Sequence, residues 1–354
     1  MSDLTSVGFD AEWEHVFREG GFLGVPFRVR EEQRGLYLLT DGEQDVEAEV
    51  SGRFRFAAGT DPAAYPAVGD FVAAVPATHH RIEAVLPRRT VFLRKVAGRR
   101  SDRQVTAANV DLAFIVESAE RTLSPRRIER YLTLAYEGGV SPVLVLNKAD
   151  RTDDPDGILA RARACAPGVP VHLVSALDQT GTEALRTYLR PGLTAVFLGL
   201  SGVGKSTLTN VLLSEAVQET RAVRDGDGRG RQTTTSRTLF PLPGGALLLD
   251  TPGTREMGLV EADAGLQQTF TDLGAYAAAC RFNDCRHQDE PGCAVLEAVE
   301  RGEIAEERLQ AWRHLGREIA FQARKQDRAL RAEERRLWAR RSREGRERRQ
   351  RKMR

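Results

Sequence analysis

Gly199-Leu200-Ser201-Gly202-Val203-Gly204-Lys205-Ser206 is the stretch on which the fold of this chain turns. It matches G-x-x-x-x-G-K-[ST], follows the apolar run 195–198 and opens a helical pattern over 205–213. Strand, glycine-rich turn and helix in that order make a phosphate cradle. The glycines let backbone N–H groups close around an anion, and the helix N-terminus adds positive potential. Lys205 then reaches the β- and γ-phosphates, the Ser206 hydroxyl takes Mg²⁺, and Thr207 completes the first turn. Lysine usage sharpens the reading. Of 52 cationic residues only five are lysine: Lys95, Lys148, Lys205, Lys325 and Lys352. A lysine kept against an arginine background marks a place for a compact ammonium.

Moving outward, Asp250-Thr251-Pro252-Gly253 follows the apolar run 246–249, 45 residues beyond Lys205. An acid at a strand end downstream of the cradle fits a second Mg²⁺ ligand, and the Gly253 N–H fits the γ-phosphate. Upstream, Asn147-Lys148-Ala149-Asp150 ends the apolar run 143–146 and matches the guanine-selecting N-K-x-D pattern. A carboxylate can accept from guanine N1–H and the 2-amino group together, a pairing adenine lacks. The Lys148 stem can pack over the base. Ser175-Ala176, after the strand pattern 171–174, is the companion loop whose N–H meets guanine O6. Between the cradle and Asp250, the glycine-rich segment 226–235 carries Gln232 and three threonines. Thr234 is the expected switch residue that closes on Mg²⁺ and the γ-phosphate. The base motif precedes the phosphate loop, the reverse of common GTPases, so the expected domain is circularly permuted. Permutation is tolerated because domain termini lie close together at the surface.

Strand patterns alternate with helical ones (125–136, 157–166, 183–189), which predicts a mostly parallel sheet covered on both faces. Before it, short β-patterned runs at 25–29, 36–39, 46–50, 54–56, 71–75 and 81–85 are separated by turn residues. They predict a small β-barrel, with an OB-fold among the few solutions of that size and a generic barrel left open. Residues 96–104 read as a basic linker. Cys280-x4-Cys285-x-His287-x5-Cys293 offers three thiolates and one imidazole within 14 residues, a closed tetrahedral set for one structural zinc. Cys165 stands apart. The expected division is 1–95 for an N-terminal segment and barrel, 96–262 for the nucleotide domain, 263–322 for an α-helical zinc domain and 323–354 for a basic helical tail.

Composition fits this plan. The chain has 354 residues, 41% hydrophobic and 29% charged, room for two or three domains. Glycine and proline usage excludes collagen-like and low-complexity classes. No apolar run approaches the ~18 residues of a membrane span. The first residues lack a secretory pattern, so the expected compartment is the cytoplasm. The net charge of +2 hides an asymmetry, because residues 313–354 carry 17 cations against six acids. Such a tail points to an anionic partner, nucleic acid first.

In that order, the barrel, the permuted nucleotide domain, Gly-Arg-Gln-Thr-Thr-Thr at 230–235 and the Cys/His cluster resemble the ribosome small-subunit-dependent GTPase A family. Gln104-Val-Thr-Ala-Ala-Asn109-Val110-Asp111 and Pro66-Ala-Val-Gly-Asp70 strengthen the likeness, which covers roughly residues 20–320. The resemblance implies an OB-fold, GTP hydrolysed to GDP under stimulation by the small ribosomal subunit, and a role in late maturation of that subunit. It also gives the tail and the barrel rRNA to face. In the family a histidine typically precedes the three threonines. Here it is Gln232, which takes the expected water-positioning role, with Arg231 and Arg255 as charge stabilisers. A monomer is expected, since no heptad seam is evident. Two other readings carry their own discriminators. An ATP-using enzyme is opposed by Asp150, and an RNA-binding protein with little turnover would fail to hydrolyse GTP with saturating subunits.

Overall fold

The computed structural model describes residues 3–33, 35–95, 103–221, 237–250 and 262–324. Helix α1 (Ala11–Glu19) leads into a five-stranded barrel. Its strands are β1 (Val25–Gln33), β2 (Leu36–Thr40), β3 (Asp45–Val50), β4 (Phe71–Val75) and β5 (His80–Val85). They pair in the order β1-β2-β3-β5-β4, and β4 closes back on β1. The expected OB-like barrel is thus present, built around Phe27, Val29, Leu39, Val72 and Ile82.

One expected strand is a helix. Residues 54–56 lie in α2 (Gly52–Ala58). Ser51 caps it by accepting from the Phe54 N–H, so the alternation of Phe and Arg is read by a helix that buries Phe54 and leaves Phe56 91% exposed. The expected linker also differs. Strands β6 (Val91–Lys95) and β7 (Arg103–Ala108) pair as an antiparallel hairpin, so Arg103 and Gln104 belong to a strand. Residues 96–102 of that linker lie outside the described residues.

The central sheet contains β8 (Leu112–Ser118), β9 (Ser141–Asn147), β10 (Val171–Leu173), β11 (Thr194–Leu198), β12 (Thr238–Pro241) and β13 (Leu247–Asp250). Their order is β10-β9-β8-β11-β13-β12, parallel except at β12. Apolar residues alternate between two buried layers, as a sheet covered on both faces requires. Ile115, Leu144, Leu146 and Leu198 meet α3 (Pro125–Glu137) and α4 (Pro155–Cys165). Phe114, Val116, Val145 and Phe197 meet α5 (Glu183–Arg186) and α6 (Lys205–Arg221). The chain winds outward from β8 through β9 to β10, then returns to lay β11 on the other side of β8. The winding reverses between β8 and β11. In such sheets ligands sit at the carboxyl ends of strands flanking that point.

Three short helices follow, α7 (Asp263–Thr269), α8 (Thr271–Ala277) and α9 (Ala294–Glu300), then α10 (306–324). Their buried residues join the same layer as α3. Among the described residues no helix is long and apolar enough to cross a membrane. The tail from residue 325 lies outside the described residues.

Candidate active site and metal centre

Five strand ends converge at the winding reversal. β11 delivers Gly199, and Lys205 opens α6, a 17-residue helix whose first N–H groups have no intrahelical carbonyl to reach. Gly199, Gly202 and Gly204 have φ of +145°, +85° and +98°, conformations that side-chain-bearing residues avoid. The Lys205 ammonium donates to the carbonyls of Gly199 (2.8 Å) and Leu200 (2.9 Å), curling the loop around itself. Ser201, Ser206 and Thr207 are exposed, and Val203 is buried beneath them. Asp250 closes β13 near Lys205. Burial lowers the Lys205 pKa, an effect the Asp250 charge opposes; burial raises that of Asp250, an effect Lys205 opposes.

Asn147, at the end of β9 and 2% exposed, spends both ends of its amide on neighbouring loops. Its Nδ2 donates to the Val203 carbonyl (2.9 Å) and its Oδ1 accepts from the Ala176 N–H (3.0 Å). One side chain therefore holds the phosphate loop and the Ser175-Ala176 loop in register. Ser175 donates from Oγ to Asp150 (2.7 Å), which fixes that carboxylate. Lys148 adopts a left-handed φ of +68°, uncommon for a residue with a Cβ, and Leu177 stands 75% exposed beside Ala176.

Glu120 carries no motif, yet it sits just past β8 and accepts from Lys148 Nζ (2.5 Å) and Arg151 (3.0 Å). The Lys148 ammonium beside it, helped by Arg151, holds its pKa down to about 2. Gln232, Thr234, Arg231, Gly253 and Arg255 lie outside the described residues.

The four cysteine and histidine ligand atoms lie within 4.8 Å of one another. Cys280 Sγ to His287 Nδ1 is 3.5 Å, His287 Nδ1 to Cys293 Sγ is 3.4 Å, and Cys280 Sγ to Cys293 Sγ is 3.9 Å. A tetrahedral zinc with Zn–S of about 2.3 Å and Zn–N of about 2.0 Å sets edges near 3.8 and 3.5 Å, so these three donors match its spacing, and Cys285 completes a set compatible with that ion. The His287 ring stacks on Trp312 of α10, with centroids 5.1 Å apart. Glu290, another residue without a motif, accepts backbone N–H bonds from Arg286 and Gln288 and so closes the ligand loop. Those donors hold its pKa down to about 2.

A family model described as RsgA GTPase matches residues 85–260. The small ribosomal subunit biogenesis GTPase RsgA of Streptomyces avermitilis is 44% identical over 350 residues, covering 97% of this chain and 92% of that protein. The crystal structure of YjeQ from Thermotoga maritima is similar with a TM-score of 0.62 at 29% identity, covering 83% of this chain and 98% of that one. The structure of YloQ, described as a circularly permuted GTPase, gives 0.58 at 25% identity, covering 86% and 95%. Identity at that level along nearly the whole chain, over a sheet whose base loop precedes its phosphate loop, makes this chain a member of the RsgA GTPase family.

Proposed function

We propose that this chain hydrolyses GTP to GDP and phosphate in response to the small ribosomal subunit, and acts late in that subunit's maturation. The observation that carries the nucleotide part is the Asn147 amide, which joins the phosphate loop to the base loop. In this reading the cradle of Gly199, Leu200, Ser201, Gly202, Val203 and Gly204 wraps the phosphates. Lys205 neutralises the β- and γ-oxygens, Asp150 reads the guanine edge, and the backbone of the Ser175-Ala176-Leu177 loop meets O6. Ser206, Thr234 and Asp250 would hold Mg²⁺, which when bound would supply positive charge against the leaving GDP. Gln232 orients a water whose oxygen attacks the γ-phosphorus. The bond to the β–γ bridging oxygen breaks, GDP leaves with that electron pair, and the water's protons pass to phosphate and solvent. Cys280, Cys285, His287 and Cys293 hold one structural zinc. The four-part division at 95, 262 and 322 assigns RNA contact to the barrel and the basic tail.

The test is turnover of GTP and of ATP by the full chain, with and without purified small subunits. Stimulated turnover of GTP alone is the expected result. Equal use of ATP would contradict the role of Asp150, and absence of stimulation would leave a nucleotide-binding fold with a different partner. Gln232→Ala should then suppress stimulated turnover with little change in GDP affinity. Full activity in that variant would remove Gln232 from the water-positioning role.

A further inference from the structure

Asp150 is bordered by a cation that competes with a base for it. Its Oδ1 accepts from Ser175, while Arg151, the next residue, brings Nε to 3.7 Å of Oδ2, just beyond hydrogen-bond reach. The Arg151 side chain is 60% exposed, and a guanidinium fork matches a carboxylate better than any other cation does. What draws it away is Glu120. That carboxylate takes Arg151 on one oxygen at 3.0 Å and Lys148 on the other at 2.5 Å. Glu120 can do so because the Ala119 N–H donates to the Asn147 carbonyl at 2.7 Å, bringing the chain after β8 against the base motif.

We infer that Glu120 is a positioning residue for base selectivity: by holding Arg151 on its own carboxylate it keeps Asp150 available to the N1–H and 2-amino donors of guanine. This rests on the proposed reading of Asp150 as the base-reading group. Without Glu120, Arg151 closes on Asp150 and satisfies it, and the 2-amino group gains little from a carboxylate already paired. A site that hydrogen-bonds a donor group rejects the analogue lacking it, because its own acceptor is then left unpaired. Selectivity for guanine over hypoxanthine, which differs only by the 2-amino group, is therefore the quantity Glu120 controls. Lys148 covers either purine alike, so its loosening weakens both ligands together and leaves their ratio unchanged.

The experiment measures affinities of GDP, inosine diphosphate and ADP for the full chain with Mg²⁺, in the wild type, Glu120→Gln, Glu120→Asp and Glu120→Gln/Arg151→Ala. The expected result is a GDP-to-inosine-diphosphate preference that falls about tenfold in Glu120→Gln. It should persist in Glu120→Asp, which keeps the charge, and return in the double variant, which removes the Arg151 guanidinium that borders Asp150. An unchanged ratio in Glu120→Gln overturns the inference, even when both affinities drop. So does a ratio that the double variant fails to restore. A wild type that binds ADP as well as GDP fails at a different point, since it removes the base-reading role of Asp150 itself.

Discussion

Gly204 holds φ at +98°, and a Cβ built there collides with Nδ2 of Asn147. Two constraints therefore meet at one atom: the loop needs a left-handed residue, and the amide that fixes the base loop needs its space. Gly204→Ala is expected to break the Asn147–Val203 bond, leaving a buried donor unpaired at a cost of roughly 1–3 kcal/mol. Strain at a left-handed position adds about 1–2 kcal/mol. Titration with fluorescent GDP should show an affinity loss of at least about tenfold while the barrel stays folded; affinity within twofold of the wild type would contradict this account. At this scale the grouping of side chains was legible from spacing, as in 199–206, 147–150 and the four cysteine and histidine positions, whose chemical roles are those proposed above. Glu120 and Glu290 were not, because each acts through partners fixed by the meeting of strand ends or by one turn, which no local pattern records. The coupling role of Asn147 escaped for the same reason.

Helices and strands were readable where burial is two-sided or strictly periodic, and misread where a cap decides. The run 54–56 alternates like a strand, but Ser51 at the N-cap turns it into α2. The hairpin of β6 and β7 hid behind basic residues that suggested a linker. What no pattern could show is how closely α7 approaches α3. Gly265 permits it, since a Cβ there would collide with the Thr133 carbonyl, and its N–H donates to Glu137 at 2.9 Å. Beneath this crossing lies Glu129, 1% exposed, reached by Arg308 Nη1 at 3.0 Å. Arg308 gives its remaining fork to Asp272, so its charge is already largely answered. Burial thus outweighs the guanidinium and pushes the Glu129 carboxyl up to about 7, from an ordinary 4.5, with Asp272 adding to the rise. The folded chain then binds this proton more tightly than the unfolded one. Stability from this group is therefore full below about pH 4.5 and falls as pH rises toward 7. Glu129→Gln should flatten that fall, which is at most about 1.4 kcal/mol per pH unit. Urea unfolding at pH 5 and pH 7.5 compares the two proteins, and equal pH slopes would show that Glu129 stays ionised throughout.

Across the whole molecule the three regions share interfaces that the linear order of motifs does not reveal. β1 of the barrel pairs with β12 of the central sheet at Glu31 and Thr238, so one sheet runs through both. Arg28, 1% exposed, pins the joint by donating to the carbonyls of Val7 (2.6 Å) and Asn109 (3.0 Å) and to Thr194 Oγ1 (2.8 Å). Thr194 begins β11, so the Arg28 contacts lie at the opposite end of that strand from the phosphate loop, whereas Thr238 is in register with Asp250 at the loop's end of the sheet. The C-terminal helices are joined differently. Phe270, Cys293, Val295 and Leu309 pack in the layer that also contains Ile128 and Leu132 of α3, and the proposed zinc ligands sit at its rim. A metal that ties α9, the 280–287 turn and Trp312 together would therefore stabilise the nucleotide domain as well as its own loop, because binding to the folded state alone adds to folding stability. Elemental analysis should find one zinc per chain. Stripping it with a strong chelator should lower the melting temperature by several degrees in one transition, with the nucleotide domain melting alongside the helices. A second, earlier transition that leaves GDP affinity intact would instead show that the helices unfold alone. Unchanged melting, with no zinc found, would mean that three thiols and an imidazole are held together by packing without a metal.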